Sequence, residues 1–323
     1  MINPNRLRNP FRGIPPVPPA DSPAEPDSPP IPNGYDATPR DVLEVKKIMC
    51  QEKHLPPEIV DIILDHAEYW ASSVNVVDYT DNLRVVRGGR PESENQLLLR
   101  TAPLGLNKWP PPTQELRAGA ALNQPEDELS QSRLLEFVDG PVSTLEHPFR
   151  KVVFRIISHD QGFGGDQSCH GTYRQSYTWF DAGLERLVPS SPETEGRNDA
   201  NSTSEWAIRS AWPPVVQGGG PESEARYEHE LLPTPDHLIQ RNLLAESRWQ
   251  HHDVEWSWRD QINPDSSEAA DVLEGNGRGT ATGNGEFVRN LRYGDMITIW
   301  ARARFLAWAN SVKRIEVRVY WAF

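Results

Sequence analysis

The side chains best equipped for chemistry gather in a few places. His159, Asp160, Asp166, Cys169 and His170 fall within one stretch, and His251, His252 and Asp253 form another. A zinc site needs about four preorganised ligands, and the paired Cys-x-x-Cys or His-x-x-x-His spacing that supplies them is absent. Calcium would take Asp160 and Asp166 with carbonyls of the glycine-rich loop around Gly162, Gly164 and Gly165; turn-forming Asp and Gly account for the same residues. No metal or cofactor is assigned. For nucleophilic catalysis the Gly-x-Ser-x-Gly elbow is missing, and a strand would send the adjacent Cys169 and His170 to opposite faces. Asp160, Asp181 and Glu286 are carboxylates of the kind glycoside hydrolysis uses, but nothing in their spacing makes them converge. Gly275-Asn276-Gly277-Arg278-Gly279 lacks the Lys-Ser/Thr of a phosphate loop. The expectation is a protein that binds rather than catalyses.

Aromatic residues supply the binding chemistry. Trp179, Trp300 and Trp308 offer flat faces on which a ring can stack, and Asp160, Gln161, Arg302, Arg304 and Asn310 offer polar groups to fix its substituents. These eight form the candidate ligand-binding set. Trp256, Trp258 and Trp321 read as core. Trp300 shares its face with Arg302 and Arg304, which prefer solvent, so that face is expected to be a half-buried tryptophan flanked by solvated arginines.

These residues sit on a chain whose second half has period-two patterning. Val152, Phe154 and Ile156 share one face; His252, Val254, Trp256 and Trp258 another; Ile297, Ile299, Ala301, Ala303 and Phe305 a third. Tyr173, Gln175, Tyr177 and Trp179 alternate with Arg174, Ser176 and Thr178. Ile315, Val317, Val319, Trp321 and Phe323 form the cleanest strand. Short strands separated by turn signals predict a mainly β protein, a jelly-roll or β-sandwich, over residues 146–323, with a flexible insertion near 189–235. Residues 73–145 read as a linker with first strands, among them Gln96–Thr101 and Leu134–Val138. Residues 1–38 read as a disordered proline-rich tail. Between them, residues 39–72 predict a small helical hairpin. Thr38 caps a helix that starts at Pro39, and a second helix after Pro56-Pro57 carries Ile59, Ile62 and Ile63.

A net charge of −13 argues against nucleic acid as a partner. No apolar run reaches membrane-spanning length. Arg6, Arg8 and Arg12 are interrupted by Pro4, Pro10, Pro15 and Pro16, which break the amphipathic helix of an import signal. With two cysteines far apart, Cys50 and Cys169, the expected address is cytoplasmic or nuclear.

His54-Leu55-Pro56-Pro57-Glu58-Ile59-Val60-Asp61-Ile62-Ile63-Leu64 resembles the opening of an F-box, the segment that docks on the Skp1 adaptor of ubiquitin ligases. The resemblance implies a partner-binding helix made of Leu55, Pro56, Ile59, Ile62 and Ile63. Ser158-His159-Asp160-Gln161-Gly162, Thr178-Trp179-Phe180, Phe287-Val288-Arg289-Asn290-Leu291, Gly294-Asp295 and Trp300 to Phe305 together resemble an uncharacterised family of filamentous-fungal proteins. The layout is also similar to F-box proteins that carry a galactose-binding-like jelly roll. The implied function is a non-enzymatic adaptor, an F-box-type substrate receptor with a Skp1-type partner and a glycan or protein ligand. The alternative is a carbohydrate-binding, lectin-like protein or a carbohydrate-active enzyme.

Overall fold

The structure, a computed structural model, describes residues 36–106, 108, 118–121, 132–138, 142–189, 206–216 and 226–323. Ala37–Phe323 is one compact unit; the proline-rich tail lies, up to residue 35, outside the described residues. The strands are β1 Ala71–Asp78, β2 Arg84–Arg87, β3 Asn95–Arg100, β4 Ala118–Ala121, β5 Phe149–His159, β6 Thr178–Pro189, β7 Trp206–Trp212, β8 Val215–Val216, β9 Arg226–Tyr227, β10 Leu238–Arg241, β11 Gln250–Ser257, β12 Asp295–Ala303 and β13 Ala309–Trp321. One sheet runs β1-β13-β5-β11, with β2 also on β13; the other runs β3-β12-β6, where β6 pairs with both β10 and β7, and β4 lies outside β7. All pairings are antiparallel except β4 with β7. Followed along the chain, β1, β3, β5, β6, β10, β11, β12 and β13 cross from sheet to sheet at every step but β6 to β10. That path is a jelly roll.

The alternating residues meet between the sheets. Phe154, Ile156, Val254, Trp256, Ile315, Val317 and Val319 from the first sheet pack against Phe180, Ile297, Ile299 and Ala301 from the second. The helical hairpin closes one edge of this core. Helix α1 (Pro39–Gln51) begins with a reciprocal cap: the Asp41 N–H bonds Thr38 Oγ1, and the Thr38 N–H bonds Asp41 Oδ2 at 2.8 Å. Helix α2 (Pro57–His66) contributes Val60 and Leu64 to the sandwich core, alongside Val42 of α1. Lys46 Nζ reaches the Phe323 carbonyl at 2.8 Å and Asp61 at 2.7 Å, and Arg150 pairs with Asp65 at 2.9 Å. The hairpin is part of the sandwich, which answers how so small an element is stable.

Several local expectations are corrected. Leu134–Val138 is a helical turn rather than a strand, because Leu134 and Leu106 bury into a satellite cluster with Trp206 instead of a sheet. Residues 173–177 are turns before β6 begins at Thr178; Gln175 has a positive φ that no strand accommodates. Within the stretch read as an insertion, β7 joins the second sheet, while residues 190–205 and 217–225 lie outside the described residues.

Candidate functional site

β12 places Thr298, Trp300 and Arg302 on the outer face of its sheet, beside Trp179, Asp181 and Glu185 of β6. That face is not open. β8, β9 and residues 228–237 lie over it, leaving Trp300 4% and Arg302 1% exposed. The expectation of solvated arginines is therefore overturned: a distant segment covers them. Arg302 Nε lies 3.0 Å from Asp181 Oδ2, its Nη1 bonds Asn95 Oδ1 at 2.8 Å, and its guanidinium carbon lies 5.8 and 5.7 Å from the ring centroids of Trp212 and Trp300. Arg304 lies over Trp179 and donates to the carbonyls of Leu231, Glu230 and Glu94, at 2.9, 2.8 and 3.1 Å. It fastens the covering segment to the sheet. Gly183 is required here, since a Cβ would strike Thr298 Oγ1 and the Trp212 carbonyl.

Burial dominates the electrostatics of this cluster. It pushes Asp181 up against the opposing pull of Arg302, and it lowers Arg302 to about 10. His229, edge-on to Trp300, is driven down to about 2 by burial and by the charges of Arg302, Arg304 and Arg226, so it is neutral. Neighbouring Glu185 accepts from Arg100 at 2.5 Å and from the Tyr227 hydroxyl at 2.5 Å. The cluster is a closed polar layer in which Asp181 Oδ1, Trp179 Nε1 and His229 Nδ1 are buried without a hydrogen-bond partner.

The remaining candidates lie at the loop end of the sandwich, and most are spent on building it. Asp160 is buried, accepting from the Gly162 and Ala245 N–H groups at 2.8 Å each. Gln161 Oε1 accepts from the Ala309 N–H. Asn310 bonds the carbonyls of Trp179 and Arg302 and accepts from Asn242, which also joins Thr178 and Ser158. Asp166 caps a short turn through the Ser168 N–H. Asp160, Asp181 and Glu286 share no hydrogen-bond partner, and no group of three potential metal ligands occurs among the described residues. Both cysteines are free thiols.

Trp308 differs. It is half-buried, edge-on to Tyr177 at 5.1 Å, and forms one wall of a groove of about 500 Å³. The opposite wall is the turn between β2 and β3, with Arg87, Arg90, Glu92 and Ser93; Leu306 stands at the rim, 83% exposed. Arg87-Gly88-Gly89-Arg90-Pro91 reads from sequence only as a chain breaker, and the pairing of β2 with β13 is what brings it to Trp308.

On α2, Ile59, Ile62 and Ile63 are 44%, 54% and 39% exposed, with Ile48 of α1 beside them in exposure at 40%. Pro56 is exposed, and Leu55 is half-buried against the core. A shallow cavity of about 180 Å³ opens next to Ile62, between Asp65, Trp70, Leu145, Arg150 and Phe323. No described helix is long and apolar enough to cross a membrane. No family model, no curated protein and no solved structure matches the chain.

Proposed function

We propose that this chain is a non-enzymatic adaptor: the hairpin docks on a helical adaptor protein of the Skp1 type, and the jelly roll presents a second, ligand-binding end. The carrying observation is that α2 is apolar on two faces. Val60 and Leu64 are consumed by the sandwich core, while Ile59, Ile62 and Ile63 stand in solvent. An amphipathic helix needs one apolar stripe to pack; a second, open stripe on a helix already fixed in place is the feature of a protein contact. The resemblance of residues 54–64 to an F-box opening supports the choice of partner. The lectin alternative loses Trp300 as its stacking platform, because that indole is closed over.

The test is co-purification with a Skp1-type adaptor. Ile59→Asp with Ile63→Asp is expected to abolish capture and leave the melting temperature within a few degrees of the parent, since neither side chain belongs to the core. Wild-type capture by that variant would remove the basis of the proposal.

A further inference from the structure

We infer that the groove between the β2–β3 turn and the β12–β13 turn receives an acidic peptide segment bearing an apolar side chain. This deepens the reading of the jelly roll as a ligand-presenting end and is independent of what the hairpin binds.

The groove's volume of about 500 Å³ suits a short segment of chain. Its charge runs against the rest of the molecule. Arg87 and Arg90 are exposed and have no ion-pair partner among the described residues, while Glu92 is the one carboxylate on the lining. In a chain of net charge −13, this is a local positive site, and guanidinium forks match carboxylates in two parallel bonds.

The apolar part is held out on purpose by the backbone. Phe305 and Ala307 have φ of 65° and 74°, a conformation L side chains rarely adopt. Between them Leu306 is thrown into solvent. The turn cannot relax, because the Arg304 N–H bonds the Tyr177 carbonyl, the Gly88 N–H bonds the Trp308 carbonyl, and Tyr177 packs edge-on against Phe305 at 4.7 Å. Gly88 lies so close to this turn that any Cβ would strike the Phe305 carbonyl. Strain of this sort persists where the surroundings fix it, and it gathers at ligand clamps. Facing it, Ser93 Oγ donates to the carbonyls of Arg87 and Arg90 and fixes the arginine turn.

These residue types select a peptide over a saccharide. Sugar hydroxyls call for an array of amide and carboxylate side chains, yet Gln161 and Asn310 are committed to the backbone nearby and the Ser93 hydroxyl proton is already donated. What remains open is arginine, tryptophan and leucine, with Glu92 as the single carboxylate. Arginine and tryptophan are the types that dominate binding energy at protein contacts.

The test uses the full chain and a fluorescein-labelled peptide, Gly-Glu-Glu-Leu-Glu-Glu-Gly, read by fluorescence anisotropy. Binding is expected to weaken with added salt, to fall roughly tenfold or more in Arg87→Glu with Arg90→Glu, and to fall less in Leu306→Ser. All three positions are exposed, so melting temperatures should not move. Absence of peptide binding, equal binding of the peptide with Gln in place of Glu, or undiminished binding by the arginine double variant would overturn the inference. So would displacement by an acidic oligosaccharide that binds better than the peptide. Ile59→Asp with Ile63→Asp should leave peptide binding intact, so loss of adaptor capture and loss of groove binding are read separately.

Discussion

Burying a guanidinium costs several kcal/mol unless a counter-charge and hydrogen bonds accompany it. Arg302 has both, in Asp181 and Asn95, and lies over the rings of Trp212 and Trp300. Removing the partner is then worse than removing the pair. Asp181→Ala is expected to cost about 3–5 kcal/mol in urea unfolding, by stranding the charge. Asp181→Leu combined with Arg302→Met should recover most of that loss. A single variant within about 1 kcal/mol of the parent would mean that the ion pair holds nothing. Neither this pair nor its burial is legible at residues 298–304, where arginine alternating with alanine has the look of a solvated face. Its cover comes from residues 228–237, far away in the chain, and local patterning carries no record of a distant neighbour.

Among the elements, β13 is the most exposed to damage. It lies between β5 on one side and β1 and β2 on the other, and it supplies Ile315, Val317 and Val319 to the core. Deleting residues 319–323 removes Val319 and Trp321 and cuts the Lys46 bond to the Phe323 carbonyl. The expected product is insoluble; a soluble fragment with a sharp thermal transition would refute that placement. β13 can be read directly from its alternation over residues 315–321, where apolar side chains point inward and polar ones outward. β1 cannot. Its inward residues include Ser73 and Asn75, opposite Val319 and Val317, whereas Val74 and Val76 point to solvent. Asn75 is there to accept from the Ala102 N–H at 2.9 Å, a bond that no periodicity reveals. The hairpin helices were legible from their caps and apolar spacing, but their fusion to the sandwich was not. Likewise the groove joins residues 87–93 to 304–308, and only strand pairing shows that they are neighbours.

At the scale of the whole molecule, buried neutral histidines set the response to acid. His252 faces the sandwich interior, its Nε2 unpartnered, and burial, then His251 and Arg278, bring it down from 6.5 to about 4. His229 and His237 are lowered in the same direction, chiefly by burial. The unfolded chain takes up these protons near pH 6.5 and the folded one refuses them, so stability rises with pH through this window and is lost as pH falls below about 6.5. Each histidine contributes up to about 1.4 kcal/mol per pH unit until its folded value is reached. The urea midpoint is expected to drop between about pH 7 and about pH 5, with a shallower slope in His252→Leu. A midpoint flat across that range would show that these rings are not kept neutral by the fold.

The pairing of Ala71 with Trp321 has a kinetic side. Nearly the full described chain must be gathered before β1 and β5 acquire the strand that separates them, and closing so long a loop is paid for in entropy before any ladder bond rewards it. Until then the edges of β1, β2 and β5 stand as open templates for other chains. Refolding from denaturant should accordingly be slow and yield best in dilute solution, and in the cell the interval before closure is when a chaperone would matter most to this protein.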